Sequence, residues 1–311
     1  MAIHWYPGHM HKARKEIIEA MPNIDLVIEV LDARIPFSSE NPVVAQVRSH
    51  KGNTKPCLKV LSKTDLADPE LTQLWCRHFE QEKHIKVLPI AISEENVQKR
   101  LISRAREFFP ERSEHKAIRA MVMGIPNVGK SSLINVLAGR AIAKVGNEPA
   151  ITKRQQRIDI GDGIILNDTP GILWPKVENI HGSYRLAATG AIKDTAMDYM
   201  DAAFYIADYL LAHYPARLLA RYQLEQLPET AQDFLEIMGA KRGCLRSGAY
   251  VDLNKTSTLF INELRCGQIG RITLETPDML KVELEEVSRL REEKEKNKLE
   301  RSRNYKGRNK H

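Results

Sequence analysis

The stretch Gly124-Ile-Pro-Asn-Val-Gly-Lys-Ser-Ser132 decides how this chain is read. The apolar run 117–123 before it predicts a strand. The segment 132–138 after it carries apolar residues at helical spacing and is closed by Gly139. The pattern G-x-x-x-x-G-K-S between a strand and a helix is that of a phosphate-binding loop. Gly124 and Gly129 let the backbone turn so that successive N–H groups converge on phosphate oxygens, and the helix N-terminus adds partial positive charge. On this reading Asn127, Val128, Gly129, Lys130, Ser131 and Ser132 line a nucleotide's phosphates. Lys130 reaches the β- and γ-phosphates, and the Ser131 hydroxyl ligates Mg²⁺.

Upstream, segments 25–32, 57–62 and 85–91 read as strands, with helical patterns at 42–49, 69–82 and 94–109 between them. Downstream, 156–160 and 163–167 read as a strand pair around Gly161-Asp-Gly163. Strands alternating with helices argue for a mainly parallel sheet covered on both faces. After about residue 174 strand-like runs end, and helical patterns follow at 184–192, 197–212, 216–222, 230–238 and 255–266. From about residue 282 the composition turns to Glu, Lys and Arg. The signs are mixed up to Glu300, as in an exposed single helix, and no acid follows it, so the last residues are expected to be disordered in isolation. The expected division is 1–178 for an α/β nucleotide domain with an N-terminal arm, 179–281 for a small all-α domain, and 282–311 for a charged, basic-ended tail.

The 311 residues are 42% hydrophobic and 28% charged, ordinary values for a globular protein. Lys and Arg number 47 against 40 Asp and Glu, a net charge of +7 that hints at a polyanionic partner. Cys57, Cys76, Cys244 and Cys266 lie far apart without a C-x-x-C pair, which predicts reduced thiols rather than a disulfide frame or zinc site. The first residues have no apolar signal core, and no apolar run approaches membrane-spanning length. The expectation is a cytoplasmic protein with no membrane partner, acting as a monomer.

Asp168-Thr-Pro-Gly171 follows the apolar run 164–166. A D-x-x-G sequence by itself is a plain turn. After this phosphate loop it predicts Asp168 holding Mg²⁺ and the Gly171 N–H sensing the γ-phosphate. Thr152, between the two motifs, is a candidate switch threonine closing over Mg²⁺ and the γ-phosphate. A base-reading Asn-Lys-x-Asp motif is missing after the phosphate loop. A near match precedes it, Ser62-Lys-Thr-Asp65, at the end of the strand over 57–62. A carboxylate at Asp65 can accept from both N1–H and the amine of guanine, whereas adenine N1 is itself an acceptor. Lys63 is placed along the purine face, and Ser62 replaces the usual Asn. Ala91, Ile92 and Ser93, at the end of the next strand, stand where the loop over the base belongs.

The motif order is therefore base motif, base loop, phosphate loop, switch threonine, D-x-x-G. In this order the chain resembles the circularly permuted GTPases, and most closely the ribosome biogenesis GTPase A (YlqF/RbgA) family. The resemblance also covers Trp5-Tyr-Pro-Gly-His-Met10, Leu31-Asp-Ala-Arg-Ile-Pro36, Leu186-Ala-Ala-Thr-Gly-Ala-Ile-Lys193 and Lys241-Arg-Gly-Cys244. It implies a P-loop GTPase fold with permuted motifs followed by the small all-α domain, binding GTP/GDP with Mg²⁺. It implies GTP hydrolysis during late assembly of the large ribosomal subunit, with the subunit precursor and its rRNA as partners and stimulation by the subunit. It further implies K⁺ held by Asn127. Ile172 occupies the position after D-x-x-G where many GTPases place a water-orienting Gln. The resemblance points instead to His9 as the catalytic residue.

Three other functions compete with this one. An ATP-using phosphotransferase shares the phosphate loop but has no need of Asp65. A translation- or tRNA-related GTPase shares every nucleotide motif and differs in its RNA partner. A non-hydrolytic nucleotide-binding scaffold needs nothing to orient water.

Overall fold

The structure, a computed structural model, describes residues 15–50, 53–112, 116–140, 157–169, 177–192 and 199–308. A helical turn at 15–20 leads into the 3₁₀ turn Met21–Asn23. The chain then alternates β1 (Leu26–Asp32), α1 (Pro42–Arg48), a small hairpin of β2 (Ser49–His50) and β3 (Asn53–Thr54), β4 (Cys57–Ser62), α2 (Pro69–Phe79), β5 (Ile85–Pro89) and α3 (Val97–Arg106). It continues through β6 (Ile118–Met123), α4 (Lys130–Leu137), β7 (Arg157–Asp159) and β8 (Ile164–Asp168).

Six strands form one sheet in the order β5-β4-β1-β6-β8-β7, parallel except for β7 against β8. Every residue of β1 and β4 is buried, which is why both read as near-continuous apolar runs. Two polar exceptions pair across the sheet: Glu29 lies opposite Lys59, and their side chains meet at 3.0 Å. Helix starts follow cap chemistry. Asn41 and Asp68 accept backbone N–H groups ahead of Pro42 and Pro69, whose missing N–H costs nothing at the first helical position.

The helical part comprises α5 (Ile180–Ala188), α6 (Tyr199–His213), α7 (Pro215–Tyr222), α8 (Ala231–Lys241), α9 (Leu253–Arg265) and α10 (Pro277–Arg308). The first of these lies four residues before its expected start. Asn179 caps the N–H groups of His181 and Gly182, a signal masked by the poor helix formers in that turn. In the nucleotide domain α3 starts at Val97 rather than 94 because Asn96 adopts a left-handed φ of 60°. The α10 helix runs to Arg308, past Glu300, with no proline after Pro277 to stop it.

Two features bear on the expected division into domains. After α9 the chain returns to the sheet: Ile272 N–H donates to Leu66 O (2.9 Å) and Leu274 N–H to Arg34 O (2.8 Å), against the loops that follow β4 and β1. The boundary at 281/282 also falls inside α10, where Glu283 is buried and paired with Arg185.

Candidate nucleotide site

All five parallel strands end on the same edge of the sheet, where ligands of open α/β sheets bind, and four of them, β5, β4, β6 and β8, lead into motifs. The base loop, base motif, phosphate loop and Asp168 occupy those ends. In space β4 is separated from β6 only by β1, although the phosphate loop lies some 60 residues further along the chain. Appending the block β1 to β5 after β8 would restore the order phosphate loop, D-x-x-G, base motif without moving a strand. The permutation is thus a property of chain order alone.

The phosphate loop is held tightly from below. A Cβ on Gly124 would stand 2.7 Å from the carbonyl oxygen of Val30 on β1, so only glycine lets the loop pass this close. Gly129 caps α4 in a left-handed conformation, and Lys130 opens the helix with its side chain buried. The Lys130 ammonium donates to the carbonyl of Thr169 at 2.5 Å, and the Thr169 hydroxyl donates to Val122 O at 2.7 Å. The lysine of the phosphate loop therefore touches the strand end that carries Asp168, which stands in register with Val122. Val128 is buried, while Asn127, Gly129, Ser131 and Ser132 are half-buried.

The base motif is tied to the same loop. The Ser62 hydroxyl lies 2.5 Å from Val128 O and 2.8 Å from Leu31 O, is fully buried, and can donate to one of them at a time. Ser62 thus fastens β4 to the phosphate loop. The Lys63 ammonium donates to Asn127 O at 2.6 Å and to Asp32 Oδ2 at 2.8 Å, leaving its aliphatic stem as the part available to a purine. Lys63 (φ 59°) and Asn127 (φ 62°) are both left-handed non-glycine residues, a cost that marks constrained, functional backbone. Asp65 is exposed on the same loop, and Arg271 from the returning segment donates to its carbonyl at 3.4 Å. Ala91 is buried, Ile92 half-buried and Ser93 exposed, and Glu94 accepts from the Ala91 N–H at 3.0 Å to shape the base loop.

Sequence reasoning missed the residues behind this edge. Asp32, buried at the end of β1, accepts from Arg34 Nε (2.9 Å), Arg34 Nη2 (2.8 Å) and Lys63. Burial pushes the Asp32 carboxyl up, but the charges and hydrogen bonds of Arg34 and Lys63 outweigh it and hold it well below the usual carboxylate range. Arg34 Nη1 reaches Arg265 O (3.4 Å), and the Arg265 guanidinium donates to Ala187 O (2.7 Å) and Ala188 O (2.9 Å) at the end of α5. Two residues on, Gly190 O accepts from Asn127 Nδ2 at 2.6 Å. A ring of contacts therefore runs from the base motif through Asp32, Arg34, Arg265 and the α5 terminus back to the phosphate loop. The signal was present in Leu31-Asp-Ala-Arg-Ile-Pro36 and Leu186-Ala-Ala-Thr-Gly190, but spacing alone gives neither of them a partner.

His9, Thr152, Gly171 and Ile172 lie outside the described residues. The basic residues of the helical part are largely engaged. Arg221 donates twice to Glu263 (3.0 and 2.9 Å), Arg242 sits 3.4 Å from the same carboxylate, and Lys241 caps α7 through Gln223 O at 2.7 Å. A separate cavity of about 610 Å³ beside α1, α5 and α10 is lined by no nucleotide-motif residue. No helix among the described residues is long and apolar enough to cross a membrane.

The family described as 50S ribosome-binding GTPase matches residues 119–238. A ribosome biogenesis GTPase A from Bacillus cereus is 42% identical over 94% of this chain and 100% of its own length. A mitochondrial ribosome-associated GTPase 1 from Ictalurus punctatus is 32% identical over 88% of this chain and 92% of its own. The crystal structure of GNP-bound YlqF from T. maritima superimposes with a TM-score of 0.60 at 25% identity, covering 86% of this chain and 98% of that one. With the permuted motifs on one sheet edge and this identity along nearly the whole chain, the protein belongs to the ribosome biogenesis GTPase A family of circularly permuted GTPases.

Proposed function

We propose that this chain hydrolyses GTP during assembly of the large ribosomal subunit, in the cytoplasm and as a monomer, with the subunit precursor and its rRNA as partners. The observation that carries the guanine assignment is the joining of the Lys63–Asp65 loop to the phosphate loop through Ser62 and Lys63. The relatives' names supply the ribosomal context.

The donor set suits a hard divalent cation. Ser131, in the first turn of α4, brings a hydroxyl oxygen to the helix N-terminus, and Asp168, the last residue of β8, and Thr152 would join it in holding the ion. When bound, Mg²⁺ neutralises the β- and γ-phosphate oxygens. Asn127, whose side-chain amide donates to Gly190 O, would hold a K⁺ that adds positive charge beside the phosphates. Lys130 carries fixed positive charge to the phosphates, Gly171 senses the γ-phosphate, and Asp65 selects guanine with Ala91, Ile92 and Ser93 over the base. His9 orients the attacking water in place of the Gln that Ile172 replaces. Domain 1–178 performs this chemistry, 179–281 contacts RNA, and the basic tail adds phosphate contacts.

The test is nucleotide choice. Asp65→Asn is expected to weaken GTP binding and shift preference toward xanthosine triphosphate, whose C2 oxo group accepts from the new amide. Unchanged GTP affinity would sink the guanine assignment. Multiple-turnover hydrolysis, measured with and without purified large subunits, separates an enzyme from a scaffold and this partner from another.

A further inference from the structure

The loop between α8 and α9 is not absorbed by the nucleotide site. The Cys244 N–H donates to Gly239 O (2.8 Å) as α8 ends, and the Asp252 N–H donates to Cys244 O (2.8 Å) where α9 begins. Between them Leu245 and Val251 form an antiparallel bridge, and the Arg246 N–H donates to Tyr250 O at 2.9 Å. The tip turns through Gly248 (φ 87°) and Ala249 (φ 62°). The root is firm, because α8 passes so near that a Cβ on Gly239 would come 2.6 Å from Val251 Cγ1.

This small, well-anchored hairpin presents a large aromatic ring to water. Tyr250 is 73% exposed, and its ring stands 3.2 Å from where a Cβ of Gly248 would be, so glycine leaves the ring room to lie over the turn. Leu245, 41% exposed, is the other apolar surface. Among the described residues the side chains of Arg246 and Lys255 have no hydrogen-bond or ion-pair partner, unlike Lys241 and Arg242. Residues 241–255 carry four cations and one carboxylate, Asp252, which is occupied in capping α9.

We propose that this hairpin is a base-stacking platform for RNA, in which Tyr250 stacks an unpaired base and Arg246 takes an adjacent phosphate. The idea rests on the RNA-partner reading above. An aromatic face beside a free guanidinium matches the two faces of a single-stranded nucleotide, an apolar base and an anionic backbone. A fixed turn places the ring at little ordering cost on binding. The positive balance disfavours a basic protein segment as occupant.

The experiment uses the full GTP-loaded chain with two probes, purified large ribosomal subunits and rRNA extracted from them. Tyr250→Ala is expected to weaken binding to both about tenfold, within the range for loss of one stacked base, and Tyr250→Phe to stay within about twofold of the parent. Arg246→Gln should lower the log-affinity against log-salt slope by about one. Melting temperature and RNA-free GTP hydrolysis should not change in any variant. Equal binding by Tyr250→Ala overturns the proposal, as does a Tyr250→Phe defect equal to that of alanine. A defect on subunits alone would mean a protein contact, and a lowered melting temperature would make the ring a structural prop. If the parent itself fails to bind either probe, the partner reading falls together with the platform, and the parent's own isotherm tells that case from the others.

Discussion

Two buried charge clusters flank the loop that follows β1, and their stoichiometries are mirror images. On the nucleotide side one carboxylate, Asp32, faces two cations, Arg34 and Lys63. On the helical side one cation, Arg185, faces two carboxylates, Glu275 at 3.3 Å and Glu283 at 2.5 Å. The first leaves surplus positive charge at the edge where a nucleotide binds, and Lys63 remains half-buried there. The second is sealed: Arg185 is 1% exposed and Glu275 2%. Its surplus negative charge is absorbed by the N–H groups of Phe37 and Ser38, the Ser38 hydroxyl and the Asn179 amide. Burial still pushes the Glu275 carboxyl above its ordinary value, against the opposing charge of Arg185 and the bonds from Ser38 and Phe37. Residues 32–38 thus form a strut, one end in the ligand's electrostatic field and the other locked into α5 and α10. The cluster with the partly exposed Lys63 belongs to function and the sealed one to docking.

Breaking the sealed cluster should have the larger effect. Arg185→Leu leaves two carboxylates buried without their cation, a change that costs about 3–5 kcal/mol where one partner of a buried pair is removed. Equilibrium urea unfolding of the variant against the parent measures it, and a loss below about 1 kcal/mol would mean that the seam is hydrated and the two clusters are alike. Asp32→Asn should cost less, about 1–3 kcal/mol, because the amide oxygen still accepts from the buried Arg34 and Lys63 can turn to solvent. Its signature is functional. GTP affinity should fall about tenfold, since Lys63 is no longer aimed along the base motif, while α5 and α10 stay docked. A variant with full affinity and a large stability loss would reverse the assignment of roles.

The sequence carried the sheet because its central strands are buried on both faces and two of its helices begin at Asn-Pro and Asp-Pro caps. It carried the permuted order because each motif sits at a strand end that periodicity alone locates. The clusters were illegible for a different reason. Arg185 and Glu275 lie 90 residues apart, and nothing in the spacing of either announces a partner. The segment Gly270–Glu275 falls between the helical patterns that periodicity marks, yet its backbone bonds to Leu66 and Arg34 brace the loops after β4 and β1 from behind. The family resemblance makes Arg217, Arg221, Lys241, Arg242 and Arg246 of the helical part, with the basic end of the chain, candidates for RNA contact. The side chains of those in the helical part mostly cap and pair within it, and Arg246 is the residue of that set whose neighbours leave it free. Charge in a sequence shows the available material, and only packing shows which charges are already neutralised.

A third cluster tests the comparison most finely. Lys59 holds both Glu29 and Glu40, the seam's ratio of one cation to two carboxylates, but it faces the cavity beside α1 rather than a sealed joint. Burial pushes the Glu40 carboxyl up to about 7; Glu29 and Glu82 add to the rise, and Lys59 opposes it. The folded protein therefore keeps a proton on Glu40 that the unfolded chain has already lost between the ordinary carboxylate range and pH 7. This contribution to stability is complete below that window and lost as pH rises through about 7, with a slope of at most about 1.4 kcal/mol per pH unit. Because Glu40 is partly open to solvent, the whole effect should be on the order of 1 kcal/mol. Glu40→Gln removes the titration, so its stability should vary less between pH 5 and pH 8 than the parent's in matched urea titrations. Parallel pH profiles for the two proteins would show that the cavity wets Glu40 enough to erase the shift, and that ratio without sealing perturbs nothing.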